Sequence, residues 1–222
     1  MRNAWKRWHG TTVLLAAVVA MASLLIAPVT VLAADNPPGL AAVLGELRKG
    51  GFVIFFRHAA TDQSGSNDED AVLEKCETQR NLSAGGRTQA EQIGKAFLAL
   101  GIPVGSVTSS PFCRCKDTAK LAFGRFVVNN ELYFAIGASA DETRRYAQSL
   151  RMMLSARPVG SANAIIVSHS ANLREAAGIW PKPEGVAYVF RPLPGGRFEV
   201  AATFAPEEWG KLAKLKLANG TR

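Results

Sequence analysis

The chain is poor in the residue patterns that would point to a metal centre or to nucleic acid. It holds three histidines and three cysteines in 222 residues, and Cys76, Cys113 and Cys115 lack the spacing of a zinc site. Basic residues outnumber acidic ones 26 to 18. Even so, there is no basic run with interleaved aromatics, no helix-turn-helix signal and no RNA-binding signature, so nucleic acid is not expected as a partner. No internal repeat is visible. The acidic triplet Asp68, Glu69 and Asp70 does not match a calcium loop and reads as a solvated face.

What is present begins with a leader. Arg2, Lys6 and Arg7 precede an uncharged apolar stretch from Thr12 to Ala27, and Val31-Leu32-Ala33 offers a small-residue cleavage site. Residues 1–33 therefore read as a secretory signal peptide, or as a membrane anchor if uncleaved, since the stretch is nearly long enough to span a bilayer. A lysine–arginine pair stands where a twin-arginine signal needs two arginines, which favours general secretion. The expected location is periplasmic or secreted, with membrane contact only if the leader is retained. Loss of the leader removes three basic and no acidic residues, so the net charge falls from +8 to +5, an excess that suits anionic ligands.

Residues 34–222 are long enough for a single domain with a sizeable core. Strand and helix signals alternate along them. Helices are expected over 40–49, 83–100, 116–123, 141–155, 173–178 and 206–217, with Ser83 as an N-cap. Strands are expected over 52–56, 104–109, 126–128 and 164–168, followed by a hairpin of 186–191 and 197–204 around Pro194-Gly195-Gly196. The order implies a three-layer α/β/α fold with a mainly parallel sheet and an antiparallel edge. Residues 61–80 form a long polar connection, which in a compact domain is functional or mobile.

The histidines outside the leader each end an apolar strand: His58 follows Phe52 to Arg57, and His169 follows Ala164 to Ser168. Ligands bind open α/β sheets at the carboxyl ends of strands, so both rings can reach one crevice. Arg57 and Arg114 stand at similar strand-to-helix junctions. An imidazole with one nitrogen held by a neighbour can attack phosphorus, and guanidinium forks match phosphate oxygens. Taken singly, each histidine reads as an incidental strand-end residue and each arginine as a surface ion-pair partner.

Together, these segments resemble the histidine phosphatase superfamily, also called phosphoglycerate mutase-like. The resemblance rests on Arg57-His58-Ala59, on Asn81-Leu82-Ser83 with Gly86 and Gln89, on Ser109-Ser110-Pro111 with Arg114 and Thr118-Ala119, and on Ser168-His169-Ser170. It implies that His58 is the nucleophile forming a phosphohistidine and that Arg57 and Arg114 clamp the phosphoryl oxygens. It further implies that His169 completes the pocket and that Thr61 adds a hydroxyl donor. No cofactor and no metal are implied. The expected activity is that of a phosphoric monoester hydrolase, or of a phosphoramidate hydrolase, acting on a small phosphorylated substrate. A cell-envelope phosphosugar suits the compartment.

Two departures from the family pattern matter. Ala59-Ala60 replaces the common Gly-Glu, which crowds the loop slightly and removes a carboxylate. The glutamate that many relatives place two residues beyond a leucine after the third strand is Phe134 here. Protonation of an alkyl leaving oxygen then requires another acid, for which Glu131, Asp62, Asp141 and Glu142 are candidates. The alternative is a phosphate-ligand binding module of the same fold with lost or very low turnover. In an oxidising compartment Cys76 can bridge Cys113 or Cys115, the first pairing being preferred, and either bridge ties the acidic loop to the segment carrying Arg114.

Overall fold

The computed structural model describes residues 40–66, 68 and 71–219; the leader expected over residues 1–33 lies outside them. The described residues form the α-helices and strands α1 Leu40–Leu47, β1 Val53–Arg57, α2 Ala84–Leu100, β2 Val104–Ser109, α3 Cys113–Phe123, β3 Val127–Val128, α4 Ala140–Ser155, β4 Asn163–Ser168, α5 Ser170–Ala177, β5 Ala187–Leu193, β6 Arg197–Phe204 and α6 Pro206–Asn219. The strands make one sheet in the order β3-β2-β4-β1-β5-β6. β3, β2, β4 and β1 run parallel, whereas β5 pairs antiparallel with β1 and with β6. This is the mainly parallel sheet with an antiparallel edge that the order of signals implies.

Alternation along the central strands divides the core into two layers, because successive side chains leave a strand on opposite faces. On one face, Ile54, Phe56, Ile165 and Val167 pack with Ile93 and Phe97 of α2, Ala119 of α3 and Trp209 of α6. On the other, Val53, Phe55, Ile166 and Phe190 meet Leu150 and Leu154 of α4 and Leu173 of α5. Each such fully buried aliphatic or aromatic side chain contributes about 1.5–3 kcal/mol through removal from water. The result is a rigid sheet whose parallel strand ends open on one rim.

Several boundaries bear on that rim. Ser83 caps α2 as expected, its Oγ accepting from the Gly86 amide at 3.0 Å. The third helix starts at Cys113 rather than at 116 because a distant side chain caps it: Gln79 Oε1 accepts from the Cys113 amide at 2.8 Å. Arg114 consequently lies in the first turn of a helix. The fifth helix likewise starts early, at Ser170, with His169 as its N-cap residue.

Candidate active site

The two histidines are brought together by register. β1 and β4 pair with Arg57 opposite Ser168, and the His58 amide donates to the Ser168 carbonyl at 3.0 Å. Each histidine is therefore one residue past an aligned strand end, and their ring centroids lie 5.5 Å apart. Both rings are buried.

The loop after His58 is held from behind. The Ala59 amide donates to Thr118 Oγ1 and the Ala60 amide to Gln89 Oε1, both at 3.0 Å. Gly86 permits this approach: a Cβ there would lie 1.8 Å from the Ala60 carbonyl oxygen. Ala59 is accommodated without a left-handed backbone, since Asp68 is the one non-glycine residue with positive φ among the described residues. The replacement of glycine at 59 thus costs the loop no strain.

His58 Nδ1 lies 3.0 Å from the Ala59 carbonyl, which can only accept, so Nδ1 carries the proton and Nε2 keeps its lone pair. Burial first, then the charge of Arg114, pushes the His58 pKa well below its usual value. The ring is neutral at ordinary pH. His169 is shifted in the same direction, again by burial first and Arg114 second. Its Nδ1 accepts from Arg114 Nη2 at 3.2 Å, so its proton is on Nε2, which donates to Ser110 Oγ at 2.8 Å.

Three arginines surround the rings. Arg114 is buried, stacked over Phe112 with 4.7 Å to the ring centroid, and paired with Asp68 at 2.9 Å. Arg57 Nη2 reaches Glu184 at 3.0 Å. The Glu184 carboxylate also accepts from the Thr61 amide at 2.8 Å and from the Thr61 hydroxyl at 3.0 Å. Arg80 lies between the carboxylates, 3.8 Å from Glu184 and 4.0 Å from Asp68. Among the described residues, Nε of Arg57 and Nε of Arg114 are buried without a hydrogen-bond partner. Such donors are costly to leave unmet and fit an anion.

The structure thus gathers His58, His169, Arg57, Arg114 and Thr61 on one rim. It does not bring the expected acids there. Glu131 pairs with Arg145, Asp62 is exposed and binds Ser64, and Asp141 pairs with Arg144. Glu142 closes the capping box of α4 with Ser139, and hydrogen bonds from Ser139 lower its pKa. Asp68 corrects a second expectation: instead of a solvated face, its carboxylate is buried against Arg114. Sequence reasoning also missed Arg80 and Glu184. Arg80 had a signal, since it directly precedes Asn81-Leu82-Ser83; Glu184 had none, since it lies outside every matching segment.

A disulfide joins Cys76 to Cys113, with 5.7 Å between Cα atoms, and ties the 61–80 segment to the residue before Arg114. Cys115 remains a buried thiol, 3.6 Å from His169 Nε2. Burial pushes its pKa up to about 12, so it is inert as a nucleophile.

A buried neutral imidazole between arginines with open donors, on the carboxyl rim of this α/β sheet, is the arrangement of a histidine-type phosphatase. Residues 53–133 match the sequence profile of the histidine phosphatase superfamily (branch 1). That match runs from β1 past α3 and includes Arg57, His58 and Arg114. Among solved structures, it is similar to the protein histidine phosphatase SixA complexed with tungstate, at 14% identity and a TM-score of 0.52, over 71% of this chain and 98% of that one. A phosphoserine phosphatase variant from Entamoeba histolytica in complex with phosphoserine aligns at 12% identity and a TM-score of 0.48, over 70% and 98%. A mycobacterial glucosyl-3-phosphoglycerate phosphatase aligns at 16% and 0.47, over 68% and 96%. No curated protein matches the chain in sequence.

Proposed function

We propose that the protein is an exported phosphatase that hydrolyses phosphomonoesters, or a phosphoramidate, through a phosphohistidine on His58 and without a metal. One observation carries this reading: a buried, neutral His58 shares its rim with Arg57 and Arg114, each holding a buried, unpartnered Nε. The lone pair on Nε2 attacks phosphorus, a P–N bond forms, and the bond from phosphorus to the leaving atom breaks. Water then attacks phosphorus, the P–N bond breaks and inorganic phosphate leaves. The two guanidinium groups neutralise charge on the transferring oxygens. His169 holds Arg114 in place through Nδ1, and Thr61 presents its hydroxyl beside Arg57 through Glu184.

Export rests on the order of basic, apolar and small-residue segments in residues 1–33. In that compartment a phosphosugar of the cell envelope is the proposed natural substrate class, and the fold shared with a protein histidine phosphatase brings phosphoramidates into the range to test. The test is hydrolysis of 4-nitrophenyl phosphate by the purified protein and by His58→Ala with chelator present. Turnover by the parent and none by the variant is expected. A parent that binds phosphate tightly but releases none from the ester would replace this reading with that of a binding module.

A further inference from the structure

Beside the phosphoryl site opens a cavity of about 520 Å³, within the range of about 300–1,000 Å³ common for small-molecule sites. Phe134 and Asp68 line it, and both touch Arg114. The Phe134 ring centroid lies 5.3 Å from the guanidinium carbon and 4.8 Å from that of the His169 ring, and Asp68 pairs with Nη1 at 2.9 Å. The two arginines hold the phosphoryl group, and this adjoining space is left for whatever the phosphate is attached to.

Much of the wall is aromatic and held in place. Tyr133, Phe134 and Tyr146 line the cavity. The Tyr133 ring meets Phe112 edge-on at 5.1 Å and Tyr146 at 6.2 Å. Asn172 Nδ2 donates to the Tyr133 carbonyl at 2.7 Å, and Tyr146 and Leu132 are buried. Charge in the lining is of one sign: among the described residues there it comes from Asp68 and Glu142, with no lysine, arginine or histidine. Asp68 is neutralised by Arg114, whereas Glu142 is exposed and kept ionised by hydrogen bonds from Ser139, which lower its pKa. Arg145 lies over the Tyr146 ring but pairs with Glu131 at 3.0 Å. A carboxylate brought into this space meets repulsion and loses hydration without gaining a cation, whereas an uncharged ring gains aromatic contact.

We propose that this cavity is the specificity pocket of the enzyme, accepting phosphomonoesters whose organic part is an uncharged ring and rejecting those that carry a carboxylate beside the phosphate. The proposal rests on the phosphatase reading of His58 and defines the substrate class of that same site. The ring packs on Tyr133, Phe134 and Tyr146. An aryl group offers them its π face and a sugar its C–H face, so the two sources share this chemistry. Hydroxyl groups at the edge of a sugar find an acceptor in the Glu142 carboxylate. Ile136 lines the cavity and is 60% exposed, which places it at the lip, where a substitution alters the entrance without touching Arg57 or Arg114.

The experiment measures competition with 4-nitrophenyl phosphate turnover by inorganic phosphate, benzyl phosphate, glucose 6-phosphate and 3-phosphoglycerate, in the parent and in Ile136→Lys. Each inhibition constant is divided by that of inorganic phosphate in the same protein, so that any change at the clamp cancels. In the parent, benzyl phosphate or glucose 6-phosphate is expected to bind about tenfold or more tightly than inorganic phosphate, the better of the two identifying the ring as aryl or sugar. 3-Phosphoglycerate is expected to bind no more tightly than inorganic phosphate. Ile136→Lys, which sets an ammonium at the lip, is expected to improve the relative binding of 3-phosphoglycerate by about threefold or more and not that of the uncharged rings. The proposal is overturned if neither ring outbinds inorganic phosphate, if 3-phosphoglycerate matches the better ring, or if the lysine leaves every ratio unchanged. A parent inactive on 4-nitrophenyl phosphate, or activity surviving in His58→Ala, removes instead the phosphatase reading and the proposal with it.

Discussion

Arg114 Nη2 donates to His169 Nδ1 at 3.2 Å, and this contact makes the second histidine the support of the arginine. A guanidinium has no acceptor, so the ring must offer a lone pair there and carry its proton on the nitrogen facing Ser110. The opposite side of Arg114 is taken by Asp68 and its face by Phe112. A side chain fixed on three sides loses little freedom when an anion binds, which is the physical basis of preorganised charge stabilisation.

Removing that arginine exposes how much it holds. Arg114→Ala leaves the Asp68 carboxylate buried without its partner, and breaking a buried pair in this way costs about 3–5 kcal/mol. Urea unfolding should show a loss of that size together with loss of turnover. Arg114→Lys should retain most of the stability and little of the activity, because an ammonium cannot reproduce the planar fork. A lysine variant with parental kcat/KM would count against the clamp.

The buried imidazoles set the acid limit of stability. Both are held below their ordinary pKa by burial, so in the unfolded chain they take up protons below about pH 6.5 while the folded state does not. The stability present above that pH is lost as pH falls. The slope approaches about 1.4 kcal/mol per pH unit for each ring. Between about pH 6.5 and 5, above most carboxylate titration, His58→Ala should show roughly half the parental slope in denaturation experiments. An unchanged slope would mean that His58 titrates freely.

Two glycines separate packing from function. A Cβ at Gly94 would lie 2.1 Å from the Ala122 carbonyl oxygen, where α2 crosses α3, and a Cβ at Gly86 would lie 1.8 Å from that of Ala60. Either alanine substitution forces backbone apart, at about 1–3 kcal/mol for overpacking. Thermal unfolding should register both. Turnover per folded molecule should fall at least tenfold only for Gly86→Ala, since only that one displaces the loop following His58; similar kinetics for the two variants would contradict this division.

The cysteines should differ in chemistry. Cys115, with its pKa raised to about 12 by burial, should resist a thiol-specific reagent at pH 8 until the protein unfolds. The bridge from Cys76 to Cys113 closes a sequence separation of 37 residues, a loop whose constraint is worth about 4 kcal/mol in the chain-entropy view. The Cys76→Ser, Cys113→Ser variant should unfold at correspondingly lower urea. Rapid labelling of Cys115 in the native parent would refute its burial.

Much of the fold was legible because it follows from local pattern. The apolar runs of β1 and β4, the alternation of strands with amphipathic helices and the Ser83 cap are properties of short segments, and their order alone implies a parallel sheet with a rim. The positions of Arg57, His58 and His169 on that rim could be read for the same reason, each being attached to a strand end. The starts of α3 and α5 were not legible. Gln79 supplies the cap of α3 from another part of the chain, and His169 has no side-chain capping bond to announce α5.

The carboxylates show where local pattern stops. Asp62, Glu131, Asp141 and Glu142 are each committed to a neighbour a few residues away or to a surface arginine. Asp68 and Glu184 reach Arg114 and Arg57 across separations of 46 and 127 residues. The sheet, its order of elements and the chemistry available at the strand ends were legible in the chain, because periodicity and side-chain type are local. Which carboxylates face which arginines, where His169 carries its proton and which cysteine closes the bridge emerge on folding, because they depend on distances between segments that no local pattern encodes.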